Sequence, residues 1–160
     1  MMESDLTIRK ANFKDIIPLQ KLYQQVDILH QQALPEIFNS VGEFERTDSW
    51  FEDRFKDDDY CMLVAEYKDE ILGLVEIQMR QTQNPCLKPR KYGHIRDIIV
   101  DEPWRKRGIG KSLMQDAHKW AKQQGASSVE LIAFSFNTEA LSFYRNLGYL
   151  DSDVTLRNTF

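Results

Sequence analysis

Apolar and polar residues alternate from Leu6 to Lys10, with Leu6 and Ile8 set against Thr7 and Arg9, which is the period of a short strand. From Phe13 the period lengthens. Ile16, Leu19, Leu22 or Tyr23, Val26 and Leu29 recur at steps of three and four, one face of a helix reaching about His30. Gln31 to Gly42, with Leu34-Pro35 inside it, reads as a loop or a broken second helix. Asp48 or Ser49 is placed to cap a short helix carrying Trp50, Phe51 and Phe55, and Asp57-Asp58-Asp59 then makes a solvated turn.

Cys61 to Tyr67 and Ile71 to Gln81 read as two strands joined by the polar turn Lys68-Asp69-Glu70, an antiparallel hairpin. Val75, Ile77 and Met79 share one face of the second strand; Glu76, Gln78 and Arg80 share the other. A loop with two prolines follows, then a long strand from Tyr92 to Val100 that Pro103 ends. Ile109, Leu113, Ala117 and Trp120-Ala121 form the core stripe of the next helix, closed by Gly125. Ser128 to Phe136 reads as a strand. Asn137 or Thr138 caps a last helix with Ala140, Leu141, Tyr144 and Leu147 inward, Gly148 ends it, and Val154 to Arg157 adds a terminal strand. One βαβ unit, Tyr92 to Phe136, thus stands behind an antiparallel meander. That order predicts an α/β or α+β sandwich, a mixed sheet with helices on both faces, in a single domain over residues 1–160.

Bulk properties refine this little. A chain of 160 residues with 42% hydrophobic and 29% charged residues fits one folded domain, and a net charge of −4 steers nothing globally toward nucleic acid. The basic loop Lys88-Pro89-Arg90-Lys91 is a local exception, with the basic turn at Arg105-Lys106-Arg107 a second. Cys61 and Cys86 have neither a disulfide framework nor metal-ligand spacing. The acidic start, Met1 to Asp5, has no apolar segment behind it, which points to a cytoplasmic protein without a membrane partner.

The chemistry concentrates between Tyr92 and Ser112, where a β-branched strand runs into a basic, glycine-punctuated turn that opens a helix. Unpaired N–H groups and the positive end of the helix dipole make such a turn a phosphate site. It is not a P-loop, because Arg105 stands where that motif needs its first glycine. It is not a dinucleotide fingerprint, because Leu113 stands at the third small position. The pattern is Arg-x-x-Gly-x-Gly, Arg105 to Gly110.

Ile98-Ile99-Val100-Asp101-Glu102-Pro103-Trp104-Arg105-Lys106-Arg107-Gly108-Ile109-Gly110 resembles the pyrophosphate motif of the GNAT superfamily of acetyl-CoA-dependent N-acetyltransferases. Asn137 to Tyr149 is similar to that family's Asn-x-x-Ala-x-x-Phe-Tyr-x-x-x-Gly-Phe helix, and the element order agrees along the whole chain. The resemblance implies a GNAT fold, with a mostly antiparallel sheet splayed at its middle strands, and acetyl-CoA as co-substrate without a metal. It also implies direct transfer to a primary amine of a small molecule or peptide. Arg105, Lys106, Arg107, Gly108, Ile109, Gly110, Lys111 and Ser112 would hold the pyrophosphate. The edge of Ile98, Ile99 and Val100 would pair with the pantetheine arm, and Asn137, Ala140 and Phe143 would contact it. Tyr144 takes the family's general-acid position.

The base stays open. Histone-type members carry Glu at the position of His94 and polyamine-type members at the position of Arg96; this chain has neither. His94 and Arg96 share a strand face by the two-residue period, so His94 is the substitute on that face. Asp97 points to the other face unless a bulge intervenes. Arg96 suits an anionic group on the acceptor, and Asp27, His30, Phe38 and Glu76 are further acceptor-pocket candidates. Polyamine, amino acid, aminoglycoside, amino sugar and protein amine all remain open as acceptors. An idle coenzyme-binding module and a nucleic-acid-binding domain are the competing readings, and open sheet edges are compatible with a homodimer.

Overall fold

The computed structural model describes residues 6–160, so the acidic start, Met1 to Asp5, lies outside the described residues. Strands β1 (Leu6–Lys10), β2 (Tyr60–Tyr67), β3 (Glu70–Gln81), β4 (Lys91–Val100) and β5 (Ser128–Leu131) form one sheet in sequential order. The first four are antiparallel neighbours and β5 runs parallel to β4. The β2–β3 hairpin turns on Lys68 and Asp69, whose φ angles of 50° and 64° are what a two-residue turn between twisted strands demands.

Helices α1 (Ile16–Ala33) and α2 (Asp48–Lys56) cover one face. Leu19, Leu22, Tyr23 and Phe51 are buried there against Met62, Val64, Leu74 and Ile99. Helix α3 (Ile109–Gln123) covers the other, setting Ile109, Leu113, Met114, Ala117, Trp120 and Ala121 on Val75, Ile77, Met79 and Ile95. Residues of α4 (Thr138–Asn146), Phe143 and Tyr144 among them, pack beside that second core. No helix among the described residues is long and apolar enough to cross a membrane.

Several boundaries differ from the periodicity. The first helix begins as a 3-10 turn, Phe13–Asp15, boxed by Asn12 and Asp15, and α1 runs on to Ala33. Thr47, not Asp48 or Ser49, caps α2, its hydroxyl accepting from Trp50 N at 3.3 Å. The fifth strand stops at Leu131 rather than Phe136, because β4 offers partners only from Tyr92 to Ile95. Phe134 and Phe136 turn instead onto a ring cluster. The expected strand Val154 to Arg157 does not form: residues 151–160 have no regular structure and are exposed, with no strand edge paired to them.

Candidate active site

The sheet parts where β5 ends. β4 continues from Arg96 to Val100 paired only to β3, so its opposite edge faces a gap. At the head of that gap the chain inserts a bulge: Glu76 stands opposite Asp97, while Ile77 stands opposite Ile95. Arg96 is therefore the extra residue, and Asp97 comes onto the α1–α2 face with Glu76 instead of pointing away.

Glu76 is only 1% exposed and its oxygens are occupied. Tyr23 Oη donates to Oε2 at 2.9 Å and Arg54 Nε to Oε1 at 3.0 Å. Arg96 Nε lies 3.5 Å from Oε1. Arg54 is itself pinned over the Trp50 ring, 3.4 Å from its centroid, one helical turn away. A carboxylate so enclosed serves as an internal counter-charge rather than as a ligand facing a pocket. Asp27 is also committed: both its oxygens accept from Arg46, whose guanidinium stacks 4.2 Å from the Tyr23 centroid.

Asp97 has no such partner. Burial and the neighbouring Glu76 charge push its pKa up to about 7, against the opposing pull of Arg46 and Arg96. His94, two residues before the bulge, goes the other way. Burial and the charges of Arg80 and Arg96 hold it down at about 4, so it is neutral near pH 7 and a weak base.

Tyr144 comes from α4, on the far side of the gap. Burial, and secondarily the charge of Asp97, raise its pKa to about 12, so it is a protonated phenol at neutral pH. Its ring is fixed by Phe143 and Tyr149, at centroid distances of 5.4 and 5.9 Å, and the Tyr149 hydroxyl is tied to His118 Nε2 at 2.6 Å.

The turn before α3 has the geometry of an anion site. Gly108 adopts φ 86°, and no side chain caps the helix, leaving the first-turn N–H groups of Ile109, Gly110 and Lys111 without helical acceptors. A side chain at Gly108 would meet nothing, whereas one at Gly110 would meet the Phe143 ring at 3.3 Å. The basic side chains divide. Arg105 folds back along the surface, Nε donating to Val100 O at 3.0 Å and a terminal nitrogen to Gln25 Oε1 at 3.4 Å, which braces the end of β4. Lys106 pairs with Glu139 of α4 at 3.0 Å, and Arg107 lies over the Trp104 ring at 5.0 Å. Lys111 and Ser112 sit in the first turn, Ser112 N bonding Gly108 O at 3.1 Å. Asn137 caps α4, accepting from Ala140 N at 3.1 Å, and its amide nitrogen makes no protein hydrogen bond among the described residues.

His30 and Phe38, both named as acceptor-pocket candidates, meet in a stack at 4.8 Å and 19°. The sequence reading left out their other partners. Phe134 and Phe136, just beyond β5, lie edge-on to His30 at 5.3 and 6.0 Å. Their alternation looked like more strand, and nothing local tied them to a helix about a hundred residues earlier. Arg54 escaped notice too, although its i, i+4 spacing from Trp50 was a visible signal. Two open concavities of about 580 and 560 Å³ lie elsewhere, one between α1 and the β2–β3 turn, the other by Arg80 and Tyr92. Neither is lined by Asp97 or Tyr144.

Known proteins agree with this geometry. The crystal structure of a BH1408 variant from Bacillus halodurans matches with a TM-score of 0.90 at 27% identity, covering 96% of this chain and 99% of that one. L-amino acid N-acetyltransferase AaaT of Escherichia coli is 26% identical over 154 residues, 91% of this chain and 83% of that protein. An uncharacterised N-acetyltransferase of Methanocaldococcus jannaschii is 31% identical over 105 residues, 66% of this chain and 46% of that protein, so the chain spans under half the length of that relative. Residues 24–149 match the family model for the acetyltransferase (GNAT) family, and with a mixed sheet parted beside an uncapped, glycine-led helix, the chain belongs to that family.

Proposed function

We propose that the chain, acting as one domain, transfers the acetyl group of acetyl-CoA directly to a primary amine of a small molecule or peptide, with Asp97 as base and Tyr144 as acid. The observation that carries this reading is the parted sheet: β5 leaves β4 after Ile95, and the bulge at Arg96 brings the Asp97 carboxyl onto the strand beside that gap. Bound acetyl-CoA supplies an activated acyl group as a thioester. The N–H groups of Ile109 to Lys111, with Lys111 and Ser112 beside them, would hold its pyrophosphate. The open edge of Ile98 to Val100 and the free amide of Asn137 would align the arm.

Asp97 takes one proton from the attacking amine as the C–N bond forms and the C–S bond breaks; Tyr144 gives its phenolic proton to the departing sulfur. A base poised near 7 is matched to neutral pH, which favours Asp97 over His94. Tyr144, raised mainly by burial to about 12, is protonated at neutral pH and gives up its proton only to a strong base such as the departing thiolate.

Release of free thiol from acetyl-CoA, followed over an amine panel, tests the reading. The wild type should turn over at least one amine, and Tyr144→Phe should lower kcat by about a hundredfold while keeping coenzyme-dependent thermal stabilisation. Coenzyme binding with no amine consumed would leave a binding module and contradict the transferase.

A further inference from the structure

The site's charges are asymmetric in a way that selects an acceptor. Four cations and three carboxyl groups meet on this face of β3 and β4. Asp27 is neutralised by Arg46 through two hydrogen bonds. Glu76 is neutralised by Arg54. Arg80 lies farther along β3, its Nε on Gln78 Oε1 at 3.2 Å. Three groups are left without a full charge partner among the described residues: Arg80, held on Gln78 farther along the strand, and, side by side at the bulge, the Asp97 carboxyl and the Arg96 guanidinium. Arg96 reaches Glu76 only at 3.5 Å, without a hydrogen bond, and its side chain is 36% exposed. The bulge is what sets them together, since both consecutive side chains address Glu76.

Taking the transferase reading as its basis, we infer that the acceptor is an α-amino acid with an apolar or aromatic side chain, its amine at Asp97 and its carboxylate on Arg96. A guanidinium that is only loosely paired, beside a base, matches a carboxylate one carbon from an amine, and Arg presents paired donors for it. Polyamines and aminoglycosides fit poorly. Each extra ammonium would need an anion, and Asp27 and Glu76 already carry an arginine apiece. The third contact is apolar. Asp27 lies one helical turn before His30 on α1, and His30 belongs to a ring cluster with Phe38, Phe134 and Phe136. That cluster joins the segment after α1 to the segment after β5, where the sheet parts, and its half-buried rings would receive an apolar side chain of the acceptor.

The test is a matched acceptor pair, L-phenylalanine and phenethylamine, which differ only by the carboxylate, with spermidine as a polycation, each assayed by thiol release with acetyl-CoA. The wild type should favour L-phenylalanine over phenethylamine by about tenfold or more in kcat/KM, the size expected of one charge-assisted hydrogen-bonded contact. In Arg96→Gln that ratio should collapse toward one through a raised KM for L-phenylalanine, and Arg96→Lys should restore part of it. Coenzyme-dependent thermal stabilisation of each variant shows that it is folded and loaded. Preference of the wild type for phenethylamine or spermidine, or a ratio that survives Arg96→Gln, would overturn the acceptor assignment and leave the transferase reading intact. No turnover of any amine by the stabilised protein would instead remove the reading on which it rests.

Discussion

Two residues, Asp97 and His94, show how far neighbours can separate proton affinities on one strand. Both are drawn partly out of water, which disfavours the charged form of each: the carboxyl rises to about 7 and the imidazole falls to about 4. The nearby charges then add in the same senses, Glu76 lifting Asp97 and two arginines lowering His94. The shift at Asp97 costs stability, with a defined sign. Its folded pKa lies above its ordinary value of 3.8, so its favourable contribution is complete below that value and is lost as pH rises through about 7. Asp97→Asn, which cannot ionise, should melt close to the wild type near pH 4 and several degrees higher at pH 8, at roughly 2–4 °C per kcal/mol for a chain of this size. A melting difference that does not change with pH would mean that Asp97 is not strained by its charge. The sequence put both residues on the candidate strand. It could not choose between them, because a two-residue period has no way to register one inserted residue, and the insertion at Arg96 is what brings Asp97 onto the face that His94 already shares.

Among the elements, β4 and α3 carry the site, and both were legible. The stripe Ile109, Leu113, Ala117, Trp120, Ala121 is buried as its spacing requires, and the β-branched run of β4 is a strand paired along β3. Leu113, fully buried, should cost about 2–5 kcal/mol when cut to alanine, measurable by denaturant titration; a cost below 1 kcal/mol would show that α3 does not dock as described. The glycines of the turn divide by what surrounds them. Gly110→Val should drive the Phe143 ring away, separating α4 and Tyr144 from α3, and should lower kcat together with coenzyme affinity. Gly108→Ala meets no atom but must hold φ 86°, so its expected cost is about 1 kcal/mol of stability from backbone strain alone. Equal stability losses in the two variants would contradict this division. What misled the periodicity was β5. Its alternation continues to Phe136, yet a strand needs a partner, and β4 has already turned away after Ile95. The tail from 151 onward alternates weakly and likewise finds no edge.

For the whole molecule, the family sets the fold and the departures from it set the chemistry. Helices α1 and α2 bring Asp27, Tyr23 and Arg54 to one face of the bulge, α4 brings Tyr144 to the other, and neither group is near the other in sequence. Such long-range meetings are where reading from the chain alone runs out. The two thiols offer a check on the packing. Cys61 is buried, with its pKa pushed up to about 11, whereas Cys86 is exposed, so a thiol reagent near pH 8 should modify one site in the native protein and two after denaturation. Two fast-reacting thiols would mean that β2 is not in the core.

The pH dependence of kcat/KM, compared between the wild type, His94→Gln and Asp97→Asn with one amine whose own pKa lies well outside the range, tests the acid–base pair most directly. A wild-type rate that climbs with pH through about 7, the same limb kept in His94→Gln, and both limb and about a hundredfold of activity lost in Asp97→Asn is the expected result. An acidic limb that disappears in His94→Gln and survives in Asp97→Asn would contradict it and return the base to the histidine.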